Sequence, residues 1–305
     1  MKLARVKANS GSVLALKVGE NLVDLAAFLR ARRQKDARAV AALEILDAGS
    51  RAGEPALAVA QRCDAFAPHV GELEVLAPSA IEPYALKDVD VFLPPVARPE
   101  KIVAIGRNYL AHALEGSGRV PKEVLFFSKS PSCLIGSGED IRAPAWAGHI
   151  DPEGELAVIV GKNGRYVEKD RAMEHVLGYS IMNDVTARQM QRDDIKAGEP
   201  WFRSKSFDTF GPLGPYLVTA DEVTDPHALD IKTVVNGEAR QQDNTSSLMF
   251  RIPDIIAHVS RFVTLKTGDI IATGTPEGMR PVFPGDVVEI TVSGLGTLRN
   301  RLVAE

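Results

Sequence analysis

The stretch HIDPEGELAVIVGK, residues 149–162, sets three acidic residues ahead of an apolar run. Side chains of an extended strand alternate, so residues two apart share a face. Asp151, Glu153 and Glu155 therefore point one way, and Ala157 and Ile159 continue that face inward. Leu156, Val158 and Val160 line the other face. Apolar residues on both faces predict a strand buried on both sides, with its acidic end at the rim of a core. Crowded carboxylates repel one another unless positive charge sits between them. Either this is a solvated strand end, or it holds a hard divalent cation that prefers oxygen ligands, such as Mg²⁺, Mn²⁺ or Ca²⁺.

The chain around this strand has 305 residues, enough for one large domain or for a small one plus a large one. With 45% hydrophobic and 25% charged residues it has the balance of a soluble globular protein that folds around its own core. The net charge of -4 is spread along the chain, with no basic stripe, which argues against a nucleic-acid partner. No stretch has the apolar length of a membrane span, and the opening MKLARVKANSGS lacks the apolar core of a secretory signal. Cys63 and Cys133 stand far apart and read as buried small residues in a reducing compartment. The expected location is the cytoplasm.

Residues 1–76 read as a small unit of their own. SVLALKVG alternates like a strand, and NLVDLAAFLRARRQ has helical spacing at Leu22, Leu25, Ala26 and Leu29 behind Asn21 as cap. VAALEILDAG and ALAVAQRCDAF suit two further helices. Residues 77–100, punctuated by Pro78, Pro83, Pro94, Pro95 and Pro99, read as a Pro-rich linker. From residue 101 to 305, short apolar runs alternate with Gly/Pro turns, a strand-rich texture with a hairpin signal at Asn236, Gly237 and Glu238. NYLAHALEG and PDIIAHVSRFVTL are the clearer helices there. Strands and helices do not alternate regularly, so a doubly wound nucleotide fold is not expected. GSGED reads as a plain turn. The predicted class is α+β, mostly β.

Several groups in this region could do chemistry. His112 and Glu115, three apart on a helix, meet on one face. They are either an orienting pair that leaves one imidazole nitrogen free as a base, or a solvated helix face. Asp184, at the end of YSIMND, is either a helix cap or a third oxygen ligand, with Arg188 one turn later beside it. Lys129 and Lys205 sit among aromatics, where an ammonium either holds an enolate or carboxylate or snorkels to water. Thr273, Gly274 and Thr275 form a turn that either approaches a small anion or reverses the chain.

Taken in order, GRNYLAHALE, FFSKS, DPEGELAVIVGK, GYSIMNDVTARQMQ, SKSFDTFGPLGP, VNGEARQ, LKTGDIIATGTPEG and PGDVVEITVSGLGTLRN resemble the fumarylacetoacetate hydrolase family over most of residues 100–303. The branch it resembles is acylpyruvase-like or 2-hydroxyhepta-2,4-diene-1,7-dioate isomerase-like. It implies a mixed β-sandwich or roll as catalytic domain, with a small N-terminal accessory domain, in a homodimer. It implies Mg²⁺ or Mn²⁺, with Ca²⁺ as a third choice, on Glu153, Glu155 and Asp184. Asp151 matches no ligand position of the family. The resemblance also implies His112 and Glu115 as a catalytic dyad on a lid helix, with residues 116–118 as a lid hinge or a loop. Lys205 is implied as an enolate-stabilising group, and Lys129, Arg188 and Thr275 as substrate contacts. The implied partner is a small 2-oxo acid. The implied reaction is hydrolysis of the C3–C4 bond of a 2,4-dioxo acid, acylpyruvate or fumarylpyruvate, to pyruvate and a carboxylic acid. The same site would also serve oxaloacetate decarboxylation or an isomerase or hydratase reaction, since fold and ligands do not select among reactions of one enolate.

Overall fold

A computed structural model describes residues 1–8, 11–116 and 120–305. It opens with β1 (Lys2–Ala8), β2 (Gly11–Val18) and β3 (Asn21–Asp24), paired antiparallel in that order. Asn21 is thus a strand residue opposite Val18, not a helix cap. The extended pairing of Leu22 and Val23 with β2 overrides their helical spacing, and α1 (Leu25–Arg32) starts three residues later than that spacing predicts. Its cap is Asp24, whose carboxylate accepts from the Ala27 N–H at 2.9 Å. Helices α2 (Ala37–Ala52), α3 (Pro55–Ala60) and α4 (Cys63–Val75) follow. Cys63 is half-buried rather than buried, because it opens α4 and its Sγ–H reaches only the Ala60 carbonyl; Cys133 is buried. The Pro-punctuated residues 77–100 hold α5 (Pro78–Ile81), β4 (Ala85–Leu86) and β5 (Phe92–Leu93). β4 pairs with β3 and β5 with β1, so this stretch runs back along the first strands.

After residue 100 strands dominate. In chain order they are β6 (Ile102–Ile105), α6 (Leu110–Gly116), β7 (Phe126–Lys129), β8 (Leu134–Ile135), β9 (Asp140–Ala143), β10 (Ile150–Asp151), β11 (Gly154–Val160), β12 (Val176–Asn183) and β13 (Thr186–Ala187). Helices α7 (Arg188–Ala197) and α8 (Phe202–Lys205) precede β14 (Gly211–Thr219), β15 (Asp230–Val235) and β16 (Glu238–Asn244). The chain then runs through α9 (Ile252–Phe262), β17 (Ile270–Ala272), β18 (Val287–Val292) and β19 (Gly296–Ala304). The hairpin signal lies where expected: Asn236 (φ +50°) and Gly237 (φ +84°) turn β15 into β16, both in the left-handed region that such a tight turn requires.

The main sheet runs β4-β3-β2-β1-β14-β12-β11-β17-β6-β7, so the N-terminal strands extend the sheet that carries the acidic strand. A five-stranded sheet, β16-β15-β18-β19-β9, packs on one face. β11 lies between two cores, as its sequence predicts. Leu156, Val158 and Val160 join Ile231, Val288, Ile290 and Leu298 of the second sheet. Ala157 and Ile159 join Leu3, Leu16, Phe28, Leu43 and Phe66 of the N-terminal unit. Each fully buried Val, Leu or Ile contributes roughly 1.5–3 kcal/mol, so both faces hold the strand in place. Among the described residues no helix is long and apolar enough to cross a membrane.

Candidate active site

The head of β11 meets the tail of β12. The antiparallel register sets Gly154 opposite Asn183 and Glu155 opposite Met182. The Asp184 N–H donates to the Glu153 carbonyl at 2.9 Å, and the Asn183 side-chain oxygen accepts from the Glu153 N–H at 2.9 Å. These bonds bring the next residue, Asp184, beside the two glutamates. On the other side β17 pairs with β11 and delivers Thr273, Gly274 and Thr275. The Gly274 N–H donates to Glu155 Oε2 at 2.8 Å, so this turn holds a carboxylate of the chain itself. One oxygen each from Glu153, Glu155 and Asp184 lies within 4.8 Å of the others, and all three residues are buried.

Positive side chains surround them. Lys205, at the end of α8, places Nζ 2.7 Å from Glu153 Oε2 and 2.6 Å from Asp184 Oδ2. Lys129, at the end of edge strand β7, reaches Asp184 Oδ1 at 2.7 Å and donates to the Lys205 carbonyl. Both lysines are fully buried, so neither snorkels to water. Arg188, opening α7, does not pair with Asp184 as its spacing suggests. Its Nε donates to Asp151 Oδ2 at 2.7 Å, and its Nη2 to Glu153. The reason is β10–β13 pairing, which sets Asp151 opposite Thr186 and so near the start of α7. Asp184 is no helix cap either, since its carboxylate is spent on the two lysines.

The charges do not balance. Asp151, Glu153, Glu155 and Asp184 face Lys129, Lys205 and Arg188, four acids against three bases. Glu155 is the unmatched one. Burial, then the nearby charges of Asp184 and Glu153, push its carboxyl well above the usual range. For Glu153 burial acts in the same sense, but Lys205 and Arg188 outweigh it and hold the group below that range. A buried, all-oxygen, negatively overcharged set fits a hard divalent cation and fits no soft metal. Gly274 helps to aim Glu155. Its φ is +102°, and a Cβ there would meet the Asn108 Cβ at 2.8 Å. Gly274→Ala is expected to displace the turn and weaken Mn²⁺ binding roughly 10–100-fold, as loss of a group orienting a ligand does. Calorimetric titration with Mn²⁺ checks this.

The triad opens into a cavity of about 170 Å³. His112, Glu115, Lys205, Arg188 and Thr275 line it; Lys129 lies behind Asp184. His112 and Glu115 share one face of α6 but do not bond to each other. Glu115 accepts the Gly278 N–H at 3.0 Å, and His112 Nδ1 is buried without a hydrogen-bond partner among the described residues. Burial foremost, with Arg188, Lys205 and Arg107 nearby, lowers the His112 pKa despite Glu153. Of residues 116–118, the last two lie outside the described residues.

Sequence reasoning missed four polar residues here. Arg107, Gln191 and Arg192 line the cavity, and buried Gln241 donates to Thr275 Oγ1 at 2.8 Å. The first three were within reach: Gln191 and Arg192 follow Arg188 at helical spacing, and Arg107 follows β6. Gln241 lies on distant β16 and had no local signal.

Fold and cavity define an α+β protein with an acidic, oxygen-rich site where strand ends converge. The family model described as fumarylacetoacetate (FAA) hydrolase C-terminal matches residues 101–303, and the chain belongs to that family. Among its relatives is the human protein named oxaloacetate tautomerase FAHD2A, mitochondrial, 42% identical over 260 residues, or 82% of this chain and 77% of that one. The solved maleylpyruvate hydrolase of Sphingobium sp. SYK-6, in complex with manganese(II) ion and pyruvate, is 31% identical. It superposes with a TM-score of 0.76 over 100% of this chain and 99% of its own. The 5-carboxymethyl-2-hydroxymuconate delta-isomerase of Mycobacterium smegmatis is 32% identical, with a TM-score of 0.72 and the same coverage.

Proposed function

We propose that this chain is a divalent-metal-dependent enzyme that transfers a proton at C3 of a small 2-oxo acid, interconverting the keto and enol forms of oxaloacetate or a close analogue. The observation that carries this reading is the buried His112 Nδ1, unpartnered among the described residues in a cavity shared with the carboxylate triad while Glu115 is engaged elsewhere. The tautomerase names of relatives at 40–45% identity support it. Glu153, Glu155 and Asp184 would hold Mg²⁺ or Mn²⁺, with Ca²⁺ suited to the same oxygens. When bound, that ion supplies Lewis-acid stabilisation of negative charge developing on the 2-oxo oxygen. His112, with its lowered pKa, is neutral at neutral pH and takes the proton from C3. Lys205 keeps its ammonium, because Asp184 and Glu153 outweigh its burial, and donates to the 2-oxo oxygen. Arg188 steadies Asp151 and Glu153, and Gln241 fixes the Thr275 hydroxyl at the wall.

A second reading is hydrolysis of a 2,4-dioxo acid at C3–C4. It is favoured by Glu115, which lines the same cavity from the same helix as His112, and by the likeness to maleylpyruvate hydrolase. In that reading Glu115 releases Gly278 and orients His112 to deprotonate water. One preparation with Mg²⁺ separates the two. Enol decay of oxaloacetate is followed by absorbance, and pyruvate release from acetylpyruvate by a coupled assay. Fast enol decay that persists in Glu115→Gln supports the tautomerase. Pyruvate release that collapses in Glu115→Gln supports the hydrolase. Neither activity in the wild type overturns both.

A further inference from the structure

Helix α7 turns one face to the cavity: Arg188, Gln191, Arg192 and Ile195, at i, i+3, i+4 and i+7, all line it. Arg188 is committed to Asp151 and Glu153. Arg192 is exposed and has no hydrogen-bond or ion-pair partner among the described residues. The acids next to it are engaged elsewhere. Asp193 accepts from the Gln189 amide at 3.0 Å, and buried Asp194 accepts from Arg203 at 2.9 Å. Along the helix, Arg188 and Lys196 stand one turn before and one turn after Arg192, so its nearest charges at i±4 are of its own sign. Like charges at that spacing destabilise a helix unless an anion answers them. Arg107 also lines the cavity, with its guanidinium 5.4 Å from the Trp201 ring centroid. The cavity thus joins the buried acidic triad to one exposed cation, Arg192, that no partner among the described residues neutralises.

We infer that Arg192 is the specificity residue of this site, binding the distal carboxylate of a dicarboxylic 2-oxo acid. This rests on the reading of the triad as the place where the 2-oxo acid end is held. A ligand with one carboxylate leaves Arg192 to water; one with a second carboxylate two carbons from the oxo carbon gives it a planar, bidentate partner. The guanidinium is partly in solvent, so its contribution is that of a screened charge-assisted hydrogen bond, roughly tenfold in affinity.

Malate and lactate test this without turnover, because they share a 2-hydroxy acid and differ only by the distal carboxylate. Their dissociation constants are measured by calorimetry on Mn²⁺-loaded protein, for wild type, Arg192→Gln and Arg192→Glu. The expected result is wild-type preference for malate of roughly tenfold, loss of that preference in Arg192→Gln through weaker malate binding, and its reversal in Arg192→Glu. Equal malate and lactate affinities in the wild type, or a preference that survives both substitutions, overturn the role of Arg192 while leaving the triad reading intact. Failure of both ligands to bind Mn²⁺-loaded wild type overturns the triad reading, and the inference with it.

Discussion

Replacing Glu155 by Gln is expected to abolish divalent-ion binding and turnover while making the ion-free protein more stable. Both effects follow from one charge. Glu155 is the fourth carboxylate in a buried set that holds three cations, and its neighbours Asp184 and Glu153 repel it. A neutral amide of the same shape keeps an oxygen for the Gly274 N–H and removes that repulsion. Replacing buried charge by neutral groups is often stabilising by about 1–4 kcal/mol. Even the low end of that range corresponds to roughly 2–4 °C in a protein of this size class. The ion, by contrast, loses a charged ligand. Lewis-acid stabilisation amounts to several kcal/mol, so turnover should fall roughly 10³-fold or more. Calorimetric melting with and without EDTA, beside Mn²⁺ titration of both proteins, reads the two effects separately. Wild-type Mn²⁺ affinity in Glu155→Gln would remove Glu155 from the ligand set.

His112→Ala is expected to cost roughly 10²–10⁴-fold in kcat, the usual contribution of a general base, with Mn²⁺ affinity unchanged. His112 lies in the cavity but outside the carboxylate cluster, and among the described residues its Nδ1 has no partner to lose. Burial disfavours its protonated form, so its pKa lies below 6.5. The neutral base is therefore present above that lowered value and lost as pH falls through it. The acid limb of the wild-type kcat/KM profile should lie below pH 6.5 and vanish from the residual activity of the variant. Loss of Mn²⁺ from His112→Ala would make it a ligand. A kcat within a few-fold of wild type would return His112 and Glu115 to a helix face without chemistry.

Much of this site was legible in the chain because its logic is local or ordered. The period of two in residues 151–160 placed Glu153 and Glu155 together and predicted that β11 would be covered on both faces, as the two cores show. Helical spacing put His112 and Glu115 on one face of α6, and both line the cavity. The Asn236–Gly237 turn needed only backbone sterics, since both residues adopt positive φ with little strain.

Partnerships of charges were not legible in this way, because a buried charge takes whichever opposite charge the register brings within reach. Spacing put Arg188 with Asp184, but β10–β13 pairing gave it Asp151 and Glu153 instead. The same competition gave Glu115 to the Gly278 N–H rather than to His112. Asn21 lost its capping role because pairing with β2 lies outside the window that helical periodicity reads. The sequence by itself determined the acidic strand, the Asn236–Gly237 turn and the family motifs, since these depend on neighbours in the chain. Only the tertiary structure decided that Lys129 and Lys205 are buried against Asp184, that Glu155 is left unmatched, and that Arg192 faces the cavity with no partner among the described residues. Those outcomes come from strands and helices far apart in sequence meeting in a low-dielectric interior, where position rather than residue type sets the sign and strength of each interaction.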